Sequence, residues 1–166
     1  MRVQHDFAPI FDAHSRILIL GTMPSVKSRE GHFYYHHPRN RFWKVMASVL
    51  SAPLPQTIAE KKEMLLQGHA AVWDVIDSCE IRGSSDASIR DVVPADINRV
   101  LRAAPIEAIC ANGAAAARLY RRCCEPETGR AIVQLPSTSP ANAAWSLPRL
   151  TAAWREAIAA SGALRR

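Results

Sequence analysis

The sequence predicts an α/β protein, a three-layer α/β/α sandwich around a central four-stranded, mainly parallel sheet. Short apolar runs rich in branched residues alternate four times with segments of helical periodicity, which is typical of this architecture. The runs are continuous and do not alternate with polar residues, as expected for strands buried on both faces of a parallel sheet. At 166 residues the chain can bury one good core but not two, so residues 1–166 are predicted to form a single domain.

The first buried strand is predicted to lead into a long functional loop. Residues 1–15 are interpreted as an irregular lead-in, and residues 16–22 as the strand, which Gly21 ends. The carboxyl end of such a strand opens on a ligand crevice in parallel sheets. Residues 23–39 are predicted to form one loop. Because loops of this length are usually functional or disordered, and this one is too aromatic for disorder, we expect it to be functional.

Cap and turn signals predict the remaining elements. Asn40 can cap a helix whose apolar residues recur at helical spacing, and Thr57 with Glu60 forms a capping box for a second helix. In order, these elements are helices at 41–50 and 57–67, a strand at 70–76, a polar loop at 77–91, a helix at 94–103, a strand at 106–110, a helix at 114–123, a strand at 131–135, a loop at 136–146 and a helix at 147–160.

The charge distribution favours nucleic acid as the partner. The formal net charge is +6 and the pI about 9.5, which favours an anionic ligand. Between residues 26 and 44, five Lys and Arg residues stand against one Glu. A run of charge is usually only a solubilising face, but aromatic residues interleave this one, and that combination is typical of nucleic-acid binding.

The sequence shows no recognisable targeting or membrane-spanning segment. The N-terminus has no apolar segment of the secretory type, and no run approaches membrane-spanning length. We therefore expect a soluble cytoplasmic protein of bacterial type that does not bind membranes and that associates with the nucleoid when it is on DNA.

Cysteine and histidine spacings argue against a metal or cluster. The four cysteines show no C-x-x-C spacing, and Cys123 and Cys124 are adjacent, which is poor geometry for a disulfide between them or for two ligands of one cluster. Reduced thiols are expected. His36 and His37 are also adjacent, and neighbouring imidazoles rarely reach one ion. We predict no metal and no cofactor.

Two stretches carry a resemblance to a known family. Residues 21–25 (GTMPS) end the first strand, and after an aromatic loop residues 37–43 (HPRNRFW) open a helix. Residues 135–142 (LPSTSPAN) come late in the chain. In this order and separation the stretches resemble motifs of the uracil-DNA glycosylase superfamily. The resemblance is strongest to the deoxyinosine (hypoxanthine)-DNA glycosylase branch, which is related to the mismatch-specific uracil/thymine-DNA glycosylases.

The resemblance implies a function in base-excision repair. It implies a monofunctional glycosylase that hydrolyses the N-glycosidic bond of a flipped deaminated base in double- or single-stranded DNA and leaves an abasic site. Hypoxanthine is the expected first substrate and uracil the second, and a monomer is expected. One alternative is a non-catalytic protein of the same fold that binds damaged or single-stranded DNA. Another is an unrelated α/β nucleotide hydrolase, which would act on free nucleosides.

Four residues are candidates for base binding, namely Gly21, Met23, Tyr35 and Asp74. Tyr35 lies twelve positions after Met23, the interval at which the mismatch-specific branch has the aromatic residue that stacks on the base. One of Tyr34 and Tyr35 should be packed and the other free. Asp74 falls where the superfamily reads the base edge. A carboxylate only accepts hydrogen bonds, and hypoxanthine and uracil offer a ring N–H there, whereas adenine and cytosine do not. Alternatively, Asp74 is a buried residue satisfied by loop N–H groups.

Asn40 and Asp74 are the candidate catalytic residues. At the position of Met23, mismatch-specific relatives have Asn and the founding uracil enzymes Asp, each orienting the attacking water, which a thioether cannot do. The resemblance implies that the carboxamide of Asn40 substitutes for that group. The alternative role of Asn40 is a helix cap. Asp74 is also a possible general base.

The late loop is the second candidate DNA contact. Its serine and threonine hydroxyls, stiffened by prolines, can meet phosphates, although a plain strand-to-helix connection has the same composition. Leu135 stands where uracil enzymes have a His that assists the departing base, so that assistance must come from elsewhere or be absent. The candidate DNA-contacting residues are Ser25, Arg39, Ser137, Ser139 and Asn142.

Overall fold

The computed structural model describes residues 1–164, which form a four-stranded and a three-stranded sheet with helices between the strands. The strands are β1 (Arg2–Gln4), β2 (Ile17–Gly21), β3 (Ala70–Asp74), β4 (Ile76–Glu80), β5 (Arg90–Pro94), β6 (Ala108–Asn112) and β7 (Val133–Leu135). The helices are α1 (Val26–Gly31), α2 (Phe42–Val49), α3 (Ile58–Gln67), α4 (Asn98–Ala103), α5 (Ala114–Cys123), α6 (Glu125–Thr128) and α7 (Leu147–Ser161).

The larger sheet is parallel throughout, with the strand order β3-β2-β6-β7. Every residue of β2 and β3 is buried, which explains why these strands read as continuous apolar runs. Helices α3, α5 and α7 pack against its strands. The predicted α/β/α sandwich with a four-stranded parallel sheet is confirmed. Gly21 pairs with Asp74 in the register of β2 and β3, so the two residues sit side by side at the carboxyl edge.

The smaller sheet was not predicted. Strands β1, β4 and β5 pair antiparallel in the order β1-β4-β5. The irregular lead-in at 1–15 and the polar loop at 77–91 were therefore wrong in part, because both contribute strands. Their polar, partly exposed residues hide the strand pattern. The predicted strand at 70–76 is in fact broken at Val75, where the chain passes from one sheet to the other.

Several helix bounds also differ from those predicted. Helix α1 lies inside the predicted loop at 23–39, where Ser25 caps it by accepting a hydrogen bond from the Ser28 backbone N–H at 3.2 Å. Helix α4 begins at Asn98 and not at Pro94, because Pro94 ends β5. The capping box at the start of α3 is present, since Thr57 Oγ1 accepts from the Glu60 N–H at 3.1 Å. No helix within residues 1–164 has both the length and the apolar character that a membrane crossing requires.

An aromatic core holds the start of α2 against the late loop. Phe42 is fully buried and packs edge-on against Trp154, with the two ring centroids 5.9 Å apart. Trp154, also fully buried, donates from its indole N–H to the Pro136 carbonyl at 2.8 Å. The two motif stretches, about a hundred residues apart in sequence, are therefore fixed to the same part of the core.

Candidate active site

A pocket of about 130 Å³ opens at the carboxyl edge of the parallel sheet. The base-binding and catalytic candidates from the sequence all line it, namely Gly21, Met23, Tyr35, Asn40 and Asp74. Three of the DNA-contact candidates, Ser25, Ser137 and Ser139, line it too. Arg39 and Asn142 do not line the pocket. Arg39 is exposed and directly precedes Asn40, which does line it. Thus residues from distant parts of the sequence share one hollow.

Asp74 is held in the pocket by a histidine from the N-terminus. Asp74 is only 3% exposed, and its Oδ2 accepts a hydrogen bond from His5 Nε2 at 2.8 Å. Because a carboxylate only accepts, the proton of this bond belongs to Nε2. Within residues 1–164 nothing donates to the other oxygen, Oδ1, which lies against Gly21. A Cβ at residue 21 would be 2.4 Å from it, so this approach requires glycine.

His5 was missed from the sequence. It lies in the segment interpreted as an irregular lead-in, 69 residues before its partner, and its side chain is as buried as the carboxylate. Asp74 lies in an apolar run, whereas His5 is flanked by Gln4 and Asp6, and neither pattern indicates the other. The alternative in which Asp74 is satisfied by loop N–H groups does not describe this arrangement, because a side chain supplies the donor.

The two adjacent tyrosines have different environments. Tyr34 is packed in the core, 2% exposed, and donates its hydroxyl to the Ala8 carbonyl at 2.9 Å. Both tyrosines line the pocket, but Tyr35 is only partly buried and stacks on Phe42, with ring centroids 4.1 Å apart and planes 19° apart. Its backbone is left-handed, with φ of 50°, which is unusual for a bulky residue.

The Tyr35 hydroxyl is buried and has no hydrogen-bond partner. It lies 3.1 Å from the position that a Cβ on Gly21 would take, next to Asp74 Oδ1. Asn112 is close by and bonds Thr138 through both of its polar atoms; it forms no well-aligned hydrogen bond with the phenol. Burial first, and the negative charge of Asp74 second, raise the pKa of Tyr35 far above the usual value, although the proximity of Asn112 lowers it. The phenol is therefore neutral at any physiological pH.

Asn40 lines the pocket, and within residues 1–164 its NH₂ group makes no hydrogen bond. Its Oδ1 accepts two hydrogen bonds, from the Phe42 backbone N–H at 2.9 Å and from Thr138 Oγ1 at 2.8 Å. Since a backbone N–H can only donate, the atom facing it is the carboxamide oxygen, and the nitrogen faces away from this network. Thr138 is fully buried. Arg41 occupies the N-cap position of α2 without a side-chain cap bond, and Asn40, one residue earlier, accepts from the N–H of the first helical residue. The NH₂ of Asn40 is left as a donor.

A second carboxylate, Asp86, reaches the pocket from the loop between β4 and β5. Asp86 Oδ1 accepts a hydrogen bond from Thr22 Oγ1 at 3.0 Å, and the residue lines the pocket. Although much of Asp86 is exposed, partial burial of its carboxyl group raises its pKa, and the charge of Asp74 adds to the rise. The bond from Thr22 and the charge of Arg118 oppose it. Sequence reasoning missed Asp86, because no local motif marks a loop aspartate as a pocket residue.

Arg41 points inward and not toward solvent. Its guanidinium donates to the carbonyls of Ser139 at 2.9 Å, of Asn142 at 3.2 Å and of Trp145. This cation was counted with the basic stretch, but its hydrogen-bonding capacity is used to hold the late loop.

The late loop is also held by its own side chains. Ser137 Oγ accepts from the Ser139 N–H at 3.1 Å, and Asn142 Nδ2 donates to the Ser137 carbonyl at 3.0 Å. Ser139 Oγ accepts from the Ala141 N–H at 3.2 Å. Each hydroxyl keeps its own O–H for a further acceptor. Leu135 is 1% exposed and does not line the pocket.

Comparisons with known proteins agree over nearly the whole chain. The family model for the uracil DNA glycosylase superfamily matches residues 8–159. A hypoxanthine DNA glycosylase from Methanosarcina acetivorans is 31% identical over 152 residues, which cover 89% of this chain and 93% of that protein. Another, from Methanosarcina barkeri, is 34% identical over 86 residues, 51% of this chain and 54% of that protein.

A solved structure is similar as well. The solution NMR structure of a candidate uracil DNA glycosylase from Methanosarcina acetivorans matches with a TM-score of 0.77 and 28% identity, covering 95% of this chain and 99% of that one. Fold, motifs and relatives thus agree with the resemblance expected from residues 21–43 and 135–142. The chain belongs to the uracil DNA glycosylase superfamily.

Proposed function

We propose that this protein hydrolyses the N-glycosidic bond of a deaminated base flipped out of DNA, hypoxanthine first and uracil second. The observation that carries the proposal is the pocket at the carboxyl edge of the sheet, where an aromatic ring, a carboxylate oxygen and a carboxamide NH₂ converge. Two relatives bear the name hypoxanthine DNA glycosylase. Enzymes acting on a base inside a duplex extrude it into such a pocket.

Base selection rests on Tyr35 and Asp74. Phe42 covers one face of the Tyr35 ring, and the other face is the stacking surface for the base, worth roughly 1–3 kcal/mol. The free Asp74 Oδ1 accepts the ring N–H of hypoxanthine or uracil. Adenine presents a lone pair at the same place, so two acceptors would face each other. An unpaired buried polar group costs about 1–3 kcal/mol, which disfavours the undamaged base.

Asn40 and Asp74 act on the reaction itself. When the C1′–N bond breaks, negative charge develops on the base and positive charge on the sugar. The NH₂ of Asn40 donates either to the departing base or to the attacking water, and a preorganised donor of this kind contributes roughly 10²–10³ in rate. The charge of Asp74 favours the cationic sugar. No lysine is among the described residues that line the pocket, which supports attack by water over imine formation and hence a monofunctional enzyme.

The rim of the pocket supplies the DNA contacts. Arg39 is exposed, and the hydroxyls of Ser25, Ser137 and Ser139 lie at the pocket. With Asn142, these groups bind the phosphates around the flipped nucleotide, through contacts that position the DNA without reading its sequence. We propose that a monomer in the compartment that holds the DNA is the active form.

Oligonucleotide cleavage tests the proposal. Duplexes and single strands carrying deoxyinosine or deoxyuridine are incubated with stoichiometric enzyme, and abasic sites are revealed by alkali. Strand scission at deoxyinosine, none at deoxyadenosine in the same position, is the expected result. If neither damaged base gives a cut strand, the activity is refuted.

A non-catalytic role remains the second candidate, because Met23 brings a thioether to the position at which the mismatch-specific enzymes and the founding uracil enzymes carry a polar side chain. That role predicts tight binding to deoxyinosine-containing DNA, measured by fluorescence anisotropy, with no alkali-labile product.

A further inference from the structure

The pocket lacks a proton acceptor where the family motif leads one to look for it. Met23 lines the pocket with a thioether, which is too weak an acceptor to orient water. The oxygen of Asn40 is already engaged by Phe42 and Thr138. Among the described lining residues, the carboxylates of Asp74 and Asp86 are the groups basic enough to take a proton. One oxygen of Asp74 is occupied by His5, and the other faces the proposed base-edge position.

Asp86 lies beside the residue at which the polar side chain is missing. Thr22, the immediate neighbour of Met23 in sequence, holds Asp86 Oδ1 at 3.0 Å. Two further hydrogen bonds dock the loop on the same segment of chain. The Val26 N–H donates to Ser84 Oγ at 2.9 Å, and Arg29 donates to the Gly83 carbonyl at 2.9 Å. The position of this carboxylate is therefore set by three contacts with the segment that carries the family motif.

We propose that Asp86 is the general base of the reaction and that Thr22 is its positioning residue. The loop between β4 and β5 thus supplies the group that Met23 cannot. This assignment rests on the proposed glycosylase function and adds a residue to it.

The step balances without any further reactant. The oxygen of water forms a bond to C1′ of the flipped nucleotide, and the C1′–N bond breaks with its electron pair going to the base. Asp86 takes one proton from the attacking water and later releases it to solvent. The departing base gains a proton from solvent, so the products are the free base and a sugar with a hydroxyl at C1′.

The charges around Asp86 suit a base. Burial of the carboxyl group and the neighbouring Asp74 raise its pKa, whereas Arg118 and the Thr22 hydroxyl lower it. Arg29 contributes a further positive charge close to the loop through its bond to Gly83. A carboxyl whose pKa is raised is closer to the working pH of a general base. Because only its ionised form accepts a proton, the rate should fall as the pH falls through this raised pKa.

The test compares Asp86→Asn with wild type in single-turnover excision of deoxyinosine at saturating enzyme. Asparagine keeps the size of the side chain and an oxygen for Thr22, but it is not basic. The rate is expected to fall roughly 10²–10³-fold, within the range for general bases, and the acidic limb of the pH–rate profile should disappear. Affinity for DNA should stay the same or rise, since a negative charge has been removed.

Three further variants separate chemistry from folding. Thr22→Val removes the hydroxyl that lowers the pKa of Asp86, so the acidic limb should move to higher pH, and Thr22→Ser should restore it. Asp96→Asn is the matched control, because Asp96 is an exposed carboxylate paired with Arg102 outside the pocket. Its rate should equal that of wild type.

Asp86→Asn excising deoxyinosine within threefold of the wild-type rate, or with an unchanged acidic limb, would overturn the role of Asp86 alone. A wild-type protein that excises neither base would overturn the proposed function as well.

Discussion

Gly21→Ala is the sharpest probe of the pocket, because it adds one carbon at the point where β2 meets β3. The new Cβ would stand 2.4 Å from Asp74 Oδ1 and 3.1 Å from the Tyr35 hydroxyl. Asp74 cannot yield easily, since it is buried and bonded to His5. Relief to an ordinary contact requires a shift of about 1 Å, and a misplacement of that size costs roughly 10²-fold in rate.

Stability should fall as well, though by less than would unfold the protein. Overpacking in a well-packed interior costs about 1–3 kcal/mol, and for a chain of this length each kcal/mol lowers Tm by roughly 2–4 °C. Single-turnover excision of deoxyinosine and thermal unfolding by circular dichroism give both quantities. Gly68→Ala is the control, because the three atoms nearest to its Cβ would all belong to the side chain of Leu50, away from the pocket. If Gly21→Ala stays folded and keeps the wild-type rate within threefold, the proposed use of Asp74 Oδ1 is refuted.

Substitutions at three other residues, His5, Asn40 and Tyr35, test single contacts. His5→Ala leaves Asp74 Oδ2 buried without its donor and should lower the free energy of unfolding by about 1–3 kcal/mol in urea titrations. His14 is exposed, so His14→Ala should leave that free energy unchanged. Equal urea midpoints for the two variants would contradict the stabilising role of His5. Asn40→Asp keeps an oxygen for the Phe42 N–H but replaces the NH₂, so the excision rate should drop roughly 10²-fold with Tm nearly unchanged, and an undiminished rate would exclude the donor role. Tyr35→Phe removes a hydroxyl that has no partner and should leave Tm equal or higher. Tyr35→Ala removes the stacking surface and should weaken binding of deoxyinosine-containing DNA by about 1–3 kcal/mol. If fluorescence anisotropy gives the two variants the same affinity, stacking on Tyr35 is ruled out.

The parallel sheet could be predicted because its evidence is local. Strand β2 is an unbroken run of branched apolar residues that ends at Gly21. In a parallel sheet, the residues at the carboxyl ends of neighbouring strands lie at the same edge. Asp74 was expected at the same site from the family resemblance, and the register places it beside Gly21.

The rest of the site depends on pairings that leave no local pattern. His5 meets Asp74 only because three residues of β1 pair with β4, and so short a strand with exposed polar residues has no periodicity to detect. Asp86 reaches the pocket because its loop docks on Thr22 and Val26. Asn40 was predicted as a site residue, but the sequence does not indicate which atom of its carboxamide is bonded. The structure shows that its oxygen accepts from Phe42 and Thr138.

The inward-turned guanidinium of Arg41 joins the beginning of α2 to the late loop through carbonyls 98 and 101 positions further along the chain. These hydrogen bonds connect two borders of the cleft that look independent in the sequence. Neither border can move away from the other without breaking them. An approaching duplex therefore meets a rim that is already shaped. On the proposed function, most of the bending that brings a damaged nucleotide to the cleft would then occur in the DNA.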